Sequence, residues 1–269
     1  MKGRADVLLE GRVAVVSGVG PGMGRDIALT LAAHGADLVL AARRPASLDA
    51  VAAEVTALGR RALSVPTDIT DQGQCQRLAS TAEAAFGHVD VLVNNAFTQE
   101  DMRDFTGFDP GRWRAPIDVN VFGTLQLTQA LLPCLRSSAG LLGGASIVMI
   151  TTLSTRLMNP VLGGYSASKR ALETAARTLA SELGPAGIRV NCVAPGHIWG
   201  PSLEGHFAWQ AAQRGVAAET VYDEVASLNP LHRIATSEEI SRSVLFFASD
   251  LSRVITGQTL DVNCGRYLH

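Results

Sequence analysis

Short runs of apolar, largely β-branched residues recur seven times along the chain, at 13–16, 37–41, 62–66, 89–93, 146–150, 189–193 and 259–262, separated by stretches with helical spacing. This alternation limits the fold more than any other feature, because parallel strands need a crossover long enough to hold a helix. The runs are nearly continuous in apolar character, as strands become when helices cover both faces of a sheet. Helical periodicity predicts helices over 23–34, 46–58, 71–86, 111–135, 165–183 and 237–248, the last opening at Ser237 with Glu239 and Ile240 behind it. The expected fold is one α/β domain over residues 1–269, a doubly wound seven-stranded parallel sheet with helices on both faces. Residues 200–231 break the rhythm with two helical patches, around Trp209 and Tyr222, and read as a mobile helical lid over a substrate.

With 269 residues, 47% of them hydrophobic, the chain is long enough to bury a sizeable core as one domain. Its net charge of −2 is made of interspersed acids and bases, without the basic stripe that nucleic acid requires. The first residues lack signal-peptide form and no apolar run is long enough for a membrane, so a cytoplasmic protein without a membrane partner is expected. Cys75, Cys134, Cys192 and Cys264 lie far apart and read as reduced thiols, mostly buried. His197, His206 and His232 are equally scattered, and no metal is expected.

The segment Ser17-Gly18-Val19-Gly20-Pro21-Gly22-Met23-Gly24 follows the first strand and opens the first helix, where a pyrophosphate can use the N–H groups of a helix start. Arg25 stands where a nucleoside-triphosphate loop would carry Lys followed by Ser or Thr, which disfavours that alternative. The second strand ends in Ala42-Arg43-Arg44, without the acid that would meet a ribose 2′-hydroxyl. Arg43, with Arg44, can pair with the 2′-phosphate of NADP, unless both are simply solvated at a strand end. Tyr165 and Lys169 stand at i and i+4 on a helix, so phenol and ammonium can share one substrate, and a cation there favours the phenolate. Trp199 follows Pro195 by four residues at a strand's C-terminal end, where ligands collect in such sheets. Trp113, Phe207, Trp209 and Tyr222 either line a pocket or belong to core or interface, and Glu173 with Arg177 reads as a solvated helix pair.

Along essentially its whole length the sequence resembles the short-chain dehydrogenase/reductases, a Rossmann-type family. The resemblance rests on the Gly18/Gly22/Gly24 loop, Asp68, Asn94-Asn95-Ala96, Asn120, the Tyr165/Lys169 pair and Pro195-Gly196. It implies an NADP(H)-dependent oxidoreductase, NAD(H) being the less favoured cofactor, acting between a ketone and a secondary alcohol. Tyr165 would then be the proton donor, Lys169 would bind the nicotinamide ribose and lower the phenol's pKa, and Asn120 would hold a relay water. Asp68 and Ile69 would meet the adenine, Asn95 and Ala96 would steady strand and cofactor, and Ile198 would touch the carboxamide. Ser17, Gly18, Gly22, Met23, Gly24, Arg43, Pro195 and Gly196 complete the expected cofactor site. The resemblance also implies a homotetramer or homodimer.

Four positions depart from the family pattern: Thr152 stands for a serine, Ser17 for a threonine, Phe97 for a glycine and Gly200 for a threonine. A threonine hydroxyl can make the serine's hydrogen bond to a substrate oxygen, with restricted χ1. Phe97, Leu153, Ser154, Trp199 and Phe207 are the candidate substrate-pocket residues. A 3-oxoacyl carrier-protein reductase is the nearest alternative, with Arg103, Arg112 and Arg114 as a basic surface for an acidic carrier. An NADP-binding redox sensor with little catalysis is the alternative of another class.

Overall fold

The structure, a computed structural model, describes residues 7–268 except 101, 105, 107, 108 and 143. In chain order its elements begin β1 (Val13–Ser17), α1 (Met23–Ala33), β2 (Asp37–Ala42), α2 (Pro45–Ala57), β3 (Ala62–Pro66), α3 (Gln72–Phe86) and β4 (Val91–Asn94). There follow α4 (Arg114–Ile117), α5 (Thr124–Leu142), β5 (Ala145–Ile150), α6 (Gly163–Leu183) and β6 (Ile188–Pro195). The chain ends with β7 (Ile198–Trp199), α7 (Pro201–Arg214), α8 (Ala218–Ser227), β8 (Ala235–Thr236), α9 (Ser237–Ala248) and β9 (Thr259–Val262).

All seven long strands run parallel in the order β3-β2-β1-β4-β5-β6-β9, a doubly wound Rossmann-type sheet. Strand order reverses between β1 and β4, so the C-terminal ends of these two strands border the crevice where such sheets bind ligands. The near-continuous apolar runs have a direct cause in the core. Alternate side chains of one strand feed two separate clusters: Ala14 and Val16 of β1 pack with Ile27, Leu31, Leu48 and Val244, while Val13 and Val15 pack with Leu78, Leu127, Leu131 and Leu172. Helices α1, α2 and α9 cover one face, and α3, α5 and α6 the other. Cys75, Cys134 and Cys192 are buried free thiols, and Cys264 is partly exposed. Among the described residues no helix is long and apolar enough to cross a membrane.

One expected helix needs correction. The helix expected over 111–135 is a 3-10 turn (Pro110–Trp113), then α4, then a π-helical segment (Asp118–Gly123), then α5, which continues to Leu142. Pro116 has no N–H to return to the preceding turn, and the buried side chain of Asn120 is committed to partners outside the helix, so the regular ladder gives way there. The helix expected over 237–248 is α9 with those bounds, and Thr236 caps it: its hydroxyl accepts from Glu239 N–H while the Glu239 carboxylate accepts from Thr236 N–H. The short parallel pair β7-β8, outside the main sheet, has no apolar run to announce it.

Candidate active site

The glycine loop is built by close approach. Gly18 has φ +74°, and a methyl group on it would stand 2.5 Å from the backbone of Ala96. On Gly24 a methyl would meet the Gly18 carbonyl at 2.3 Å, so loop and helix start fit only without side chains there. Asn95 Nδ2 donates to the Gly18 carbonyl at 2.9 Å, and the buried Ser17 hydroxyl accepts from Asn95 and Ala96 N–H at 3.2 and 3.3 Å. Strands β1 and β4 are thus tied together where the sheet divides. Gly20 and Gly22 look onto open space, and Gly22, the N-cap residue of α1, brings no side-chain cap, which suits the helix start to an anion.

A cavity of about 790 Å³ opens over this loop, of a size suited to a cofactor. Its wall is formed by residues 18–20, 41–44, 67–70 and 95–98 with Ala115 and Val119. Arg43 and Arg44 therefore stand at one rim as exposed cations. Asp68 turns its carboxylate to the Thr70 N–H and hydroxyl, at 3.0 and 2.7 Å, and Ile69 is buried beside it.

Tyr165 and Lys169 lie on the first turns of α6 with Phe97 across from them. The Phe97 ring lines the cavity, and its centroid is 5.8 Å from Lys169 Nζ, within cation–π range. Lys169 is buried, donates to the Ile150 carbonyl at 2.8 Å, and is pushed down to about 8 by that burial. Its Nζ is 6.0 Å from the Tyr165 ring centroid. The expected lowering of the phenol by this cation is not what the structure contains: burial pushes Tyr165 up to about 12, and only the Thr152 hydroxyl acts the other way. Asn120, fully buried in the π-helical segment, donates to the Ser168 hydroxyl at 2.9 Å and to the Thr98 carbonyl at 2.8 Å, and its Oδ1 accepts from Thr98 N–H at 2.8 Å.

Thr152 follows β5 in extended conformation and caps a 3-10 turn (Leu153–Thr155), its Oγ1 accepting from Ser154 N–H at 3.2 Å. The Thr152 hydroxyl in turn points to Ser154 Oγ at 3.5 Å, a long contact that a ligand oxygen can displace. Beneath the turn lies an ion-pair network that sequence spacing did not foresee. Glu173 is not solvated beside Arg177; it is buried, and Arg156 Nη1 lies 2.8 Å from both of its oxygens. Arg156 also reaches Asp261 of β9 at 3.4 Å, while the Thr155 hydroxyl donates to Glu173 and to the Thr152 carbonyl, both at 2.9 Å. The correction has a plain cause: the loop after β5 brings Arg156 to Glu173, and on its own helix the cation that pairs with it is Arg170, 2.9 Å away, rather than Arg177.

Pro195 ends β6, and Gly196 N–H donates to the Val262 carbonyl at 3.0 Å, with room for no more than a hydrogen against Asn263. Ile198 and Trp199 form β7 and pair with β8. Of the expected pocket residues, Leu153 is buried, Ser154 and Trp199 are half-buried and Phe97 is exposed. Phe207 instead sits at 3% exposure in a small core of α7 and α8 with Ala211, Val221 and Ala226. Trp199 packs edge-on to Tyr222 at 4.6 Å and joins this core to β7. Among the described residues no group of three or more His, Cys, Asp or Glu side chains could hold a metal ion.

Two residues of this site escaped sequence reasoning. Ser168 lies inside the Tyr165–Lys169 stretch, where its i+3 spacing from Tyr165 was the available signal. Glu100, which accepts from Gly164 and Tyr165 N–H, gave none, because its partners are more than sixty residues away.

A family model described as enoyl-(acyl carrier protein) reductase matches residues 18–266. The chain is 32% identical over 268 residues to a short-chain type dehydrogenase/reductase of Sinorhizobium fredii, covering 98% of this chain and 100% of that protein. Among solved structures it is similar to L-sorbose reductase from Gluconobacter frateurii complexed with NADPH and L-sorbose, at TM-score 0.90 and 27% identity, covering 97% of this chain and 98% of that one. It is also similar to carveol dehydrogenase from Mycobacterium avium in complex with NAD, at TM-score 0.88 and 28% identity, covering 96% and 98%.

Proposed function

The chain belongs to the short-chain dehydrogenase/reductase family, and from that premise we propose that it moves a hydride between NADP(H) and a ketone or secondary alcohol, with Tyr165 passing the proton. The observation that carries this reading is the meeting of Tyr165, Lys169 and Phe97 beside a cavity whose other end holds Arg43. The residues present fit a dinucleotide: the uncapped start of α1 and the open space over Gly20 and Gly22 suit the pyrophosphate. Arg43, following Ala42 rather than an acid, suits a 2′-phosphate.

Once bound, the nicotinamide supplies or accepts the hydride. Tyr165 gives its phenolic proton to the carbonyl oxygen, and Thr152 donates a hydrogen bond to the same oxygen as its charge develops. Lys169 holds positive charge beside the phenol and binds the nicotinamide ribose. Asn120 keeps the start of α6 in register and holds a water of the proton relay. Helices α7 and α8, with their own small core, act as the lid over the substrate, and α5 and α6 pair copies of the chain into a dimer or tetramer.

NADPH oxidation against 2,3-butanedione, cyclohexanone, benzaldehyde and acetoacetyl-CoA tests the reading. Turnover of a carbonyl that Tyr165→Phe abolishes is expected; activity that survives Tyr165→Phe overturns it. A carrier-linked 3-oxoacyl thioester is the second reading, favoured by the exposed Arg103 and Arg114, and faster turnover of acetoacetyl-CoA than of the simple ketones would select it.

A further inference from the structure

Tyr165 is held by its backbone as well as by its helix. Its N–H donates to Glu100 Oε1 at 3.2 Å, and Gly164 N–H donates to the same oxygen at 2.7 Å. Its carbonyl accepts from the Ser168 hydroxyl at 2.7 Å, and that hydroxyl accepts from Asn120 Nδ2. Asn120 in turn pairs in both directions with the backbone of Thr98, two residues before Glu100. The ring therefore closes: the segment 98–100 and the first turn of α6 are laced together at Asn120 and at Glu100, with Tyr165 between.

Helix α6 has Leu162 at its N-cap position and no cap from neighbouring side chains, so the acceptor for its first N–H groups is a carboxylate from a distant loop. A charged acceptor on such N–H groups makes the stronger kind of hydrogen bond. The contact is also close. A methyl on Gly163 would stand 2.6 Å from the Trp113 ring, and one on Gly164 would stand 2.8 Å from that ring and 3.2 Å from Glu100 Oε1. The paired glycines let Trp113 and Glu100 press directly on the turn that precedes Tyr165. Glu100 is 8% exposed, and its buried Oε2 has no hydrogen-bond partner among the described residues. An unpartnered buried oxygen is costly, and a serine at the N-cap would satisfy the helix without it.

We propose that Glu100 is a positioning residue for the reaction, clamping the backbone of Tyr165 so that the phenol is presented to the substrate oxygen in one place. The proposal rests on the reading of Tyr165 as proton donor. A displacement of an ångström at a reacting group is enough to cost catalysis heavily.

The test compares Glu100→Ala, which removes the acceptor, with Glu100→Gln, which keeps Oε1, using whichever of the four carbonyl probes the parent reduces fastest. Glu100→Ala is expected to lower kcat by about 10-fold to 100-fold, with KM and the NADPH dissociation constant at parent values, and Glu100→Gln to restore most of it. Hydrogen exchange of the chain without ligand should quicken at Gly164 and Tyr165 in Glu100→Ala while the later turns of α6 stay protected. Parent-like kcat in Glu100→Ala, a Glu100→Gln variant as slow as Glu100→Ala, or loss of protection along the whole of α6 would each overturn the clamp. Should Tyr165→Phe stay active, or none of the four probes be reduced, the reading of Tyr165 fails first and the clamp with it. A dead Tyr165→Phe beside a fully active Glu100→Ala sinks the clamp alone.

Discussion

The ring of Phe97 stands 6.1 Å, centroid to centroid, from the ring of Tyr165, tilted at 59°. Phe97 is 56% exposed, so this bulky side chain is held at the mouth of the site rather than in the core. Replacing it with glycine opens that mouth. Phe97→Gly should shift kcat/KM toward bulky over small ketones by about tenfold or more, the range that one apolar pocket group controls. An unchanged ratio across a ketone series would show that Phe97 does not bound the substrate's space.

Arg43 tests the cofactor. Arg43→Ala should weaken NADPH binding by about 1–3 kcal/mol, the worth of a charged hydrogen-bonded pair, and leave NADH binding nearly untouched. Titration calorimetry with both reduced cofactors decides it. Equal losses for the two would mean that Arg43 does not meet the 2′-phosphate.

Thr152 carries the hydrogen bond to the reacting oxygen if its hydroxyl turns from Ser154 Oγ to the substrate as proposed. Thr152→Val, which keeps the shape, should lower kcat by roughly 10² with NADPH affinity retained, whereas Thr152→Ser keeps most activity. A crippled Ser154→Ala beside an active Thr152→Val would move the role to Ser154, whose hydroxyl lies 3.5 Å from that of Thr152.

Glu173 should matter for the fold rather than for one contact. Removing one partner leaves the buried Arg156 charge short of compensation, so Glu173→Ala should destabilise the chain by about 3 kcal/mol or more. Denaturant unfolding reads this directly. A loss below 1 kcal/mol, the value of a surface pair, would contradict the burial argument.

Lys169 predicts a pH dependence of stability. Burial depresses it to about 8 in the fold, against about 10.5 in an unfolded chain. The unfolded chain then binds the extra proton, so the group disfavours folding fully below about pH 8, and that cost fades as pH rises to about 10.5. The stability advantage of Lys169→Met over the parent, both without cofactor, should shrink by about 3 kcal/mol across that window. Cys75, pushed up to about 11 by burial, titrates in both proteins and largely cancels, while Cys192, pushed up to about 12, faces Lys169 and lies above the window in the fold. An advantage that stays flat with pH would mean that Lys169 keeps an ordinary amine.

What the sequence revealed and what it hid divide along a physical line. Strand β5 is buried at all six positions, Ala145 to Ile150, and a segment enclosed on both faces is apolar save for Ser146, whose hydroxyl donates to the Phe247 carbonyl, so it is visible in isolation. The glycine loop and the Tyr165/Lys169 spacing are likewise local, each set by backbone geometry within a few residues. Glu173 was misread because helical spacing offers Arg177 as its neighbour, while Arg156, the cation that buries with it, arrives from the loop after β5 and Arg170 pairs from the turn before. The break near Asn120 was hidden for the same reason: its hydrogen bonds go to Thr98 and Ser168, and periodicity carries no trace of a side chain's distant partners. Glu100 belongs with these, an acid in a loop whose meaning lies wholly in another helix.

The π-helical turn at Asp118–Gly123 sets a rule for insertions and deletions along this stretch. Each residue of a helix advances the side chains by about 100° around the axis. The π turn holds one residue more than an α turn and so absorbs a lost position, but losing one from Thr124, Leu125 or Gln126 would swing Leu127, Leu131 and Leu135, all fully enclosed, away from the sheet together. The π turn can give up a residue by closing to an α turn, whereas the spacing from Thr124 onward is fixed by the stripe of leucines that follows.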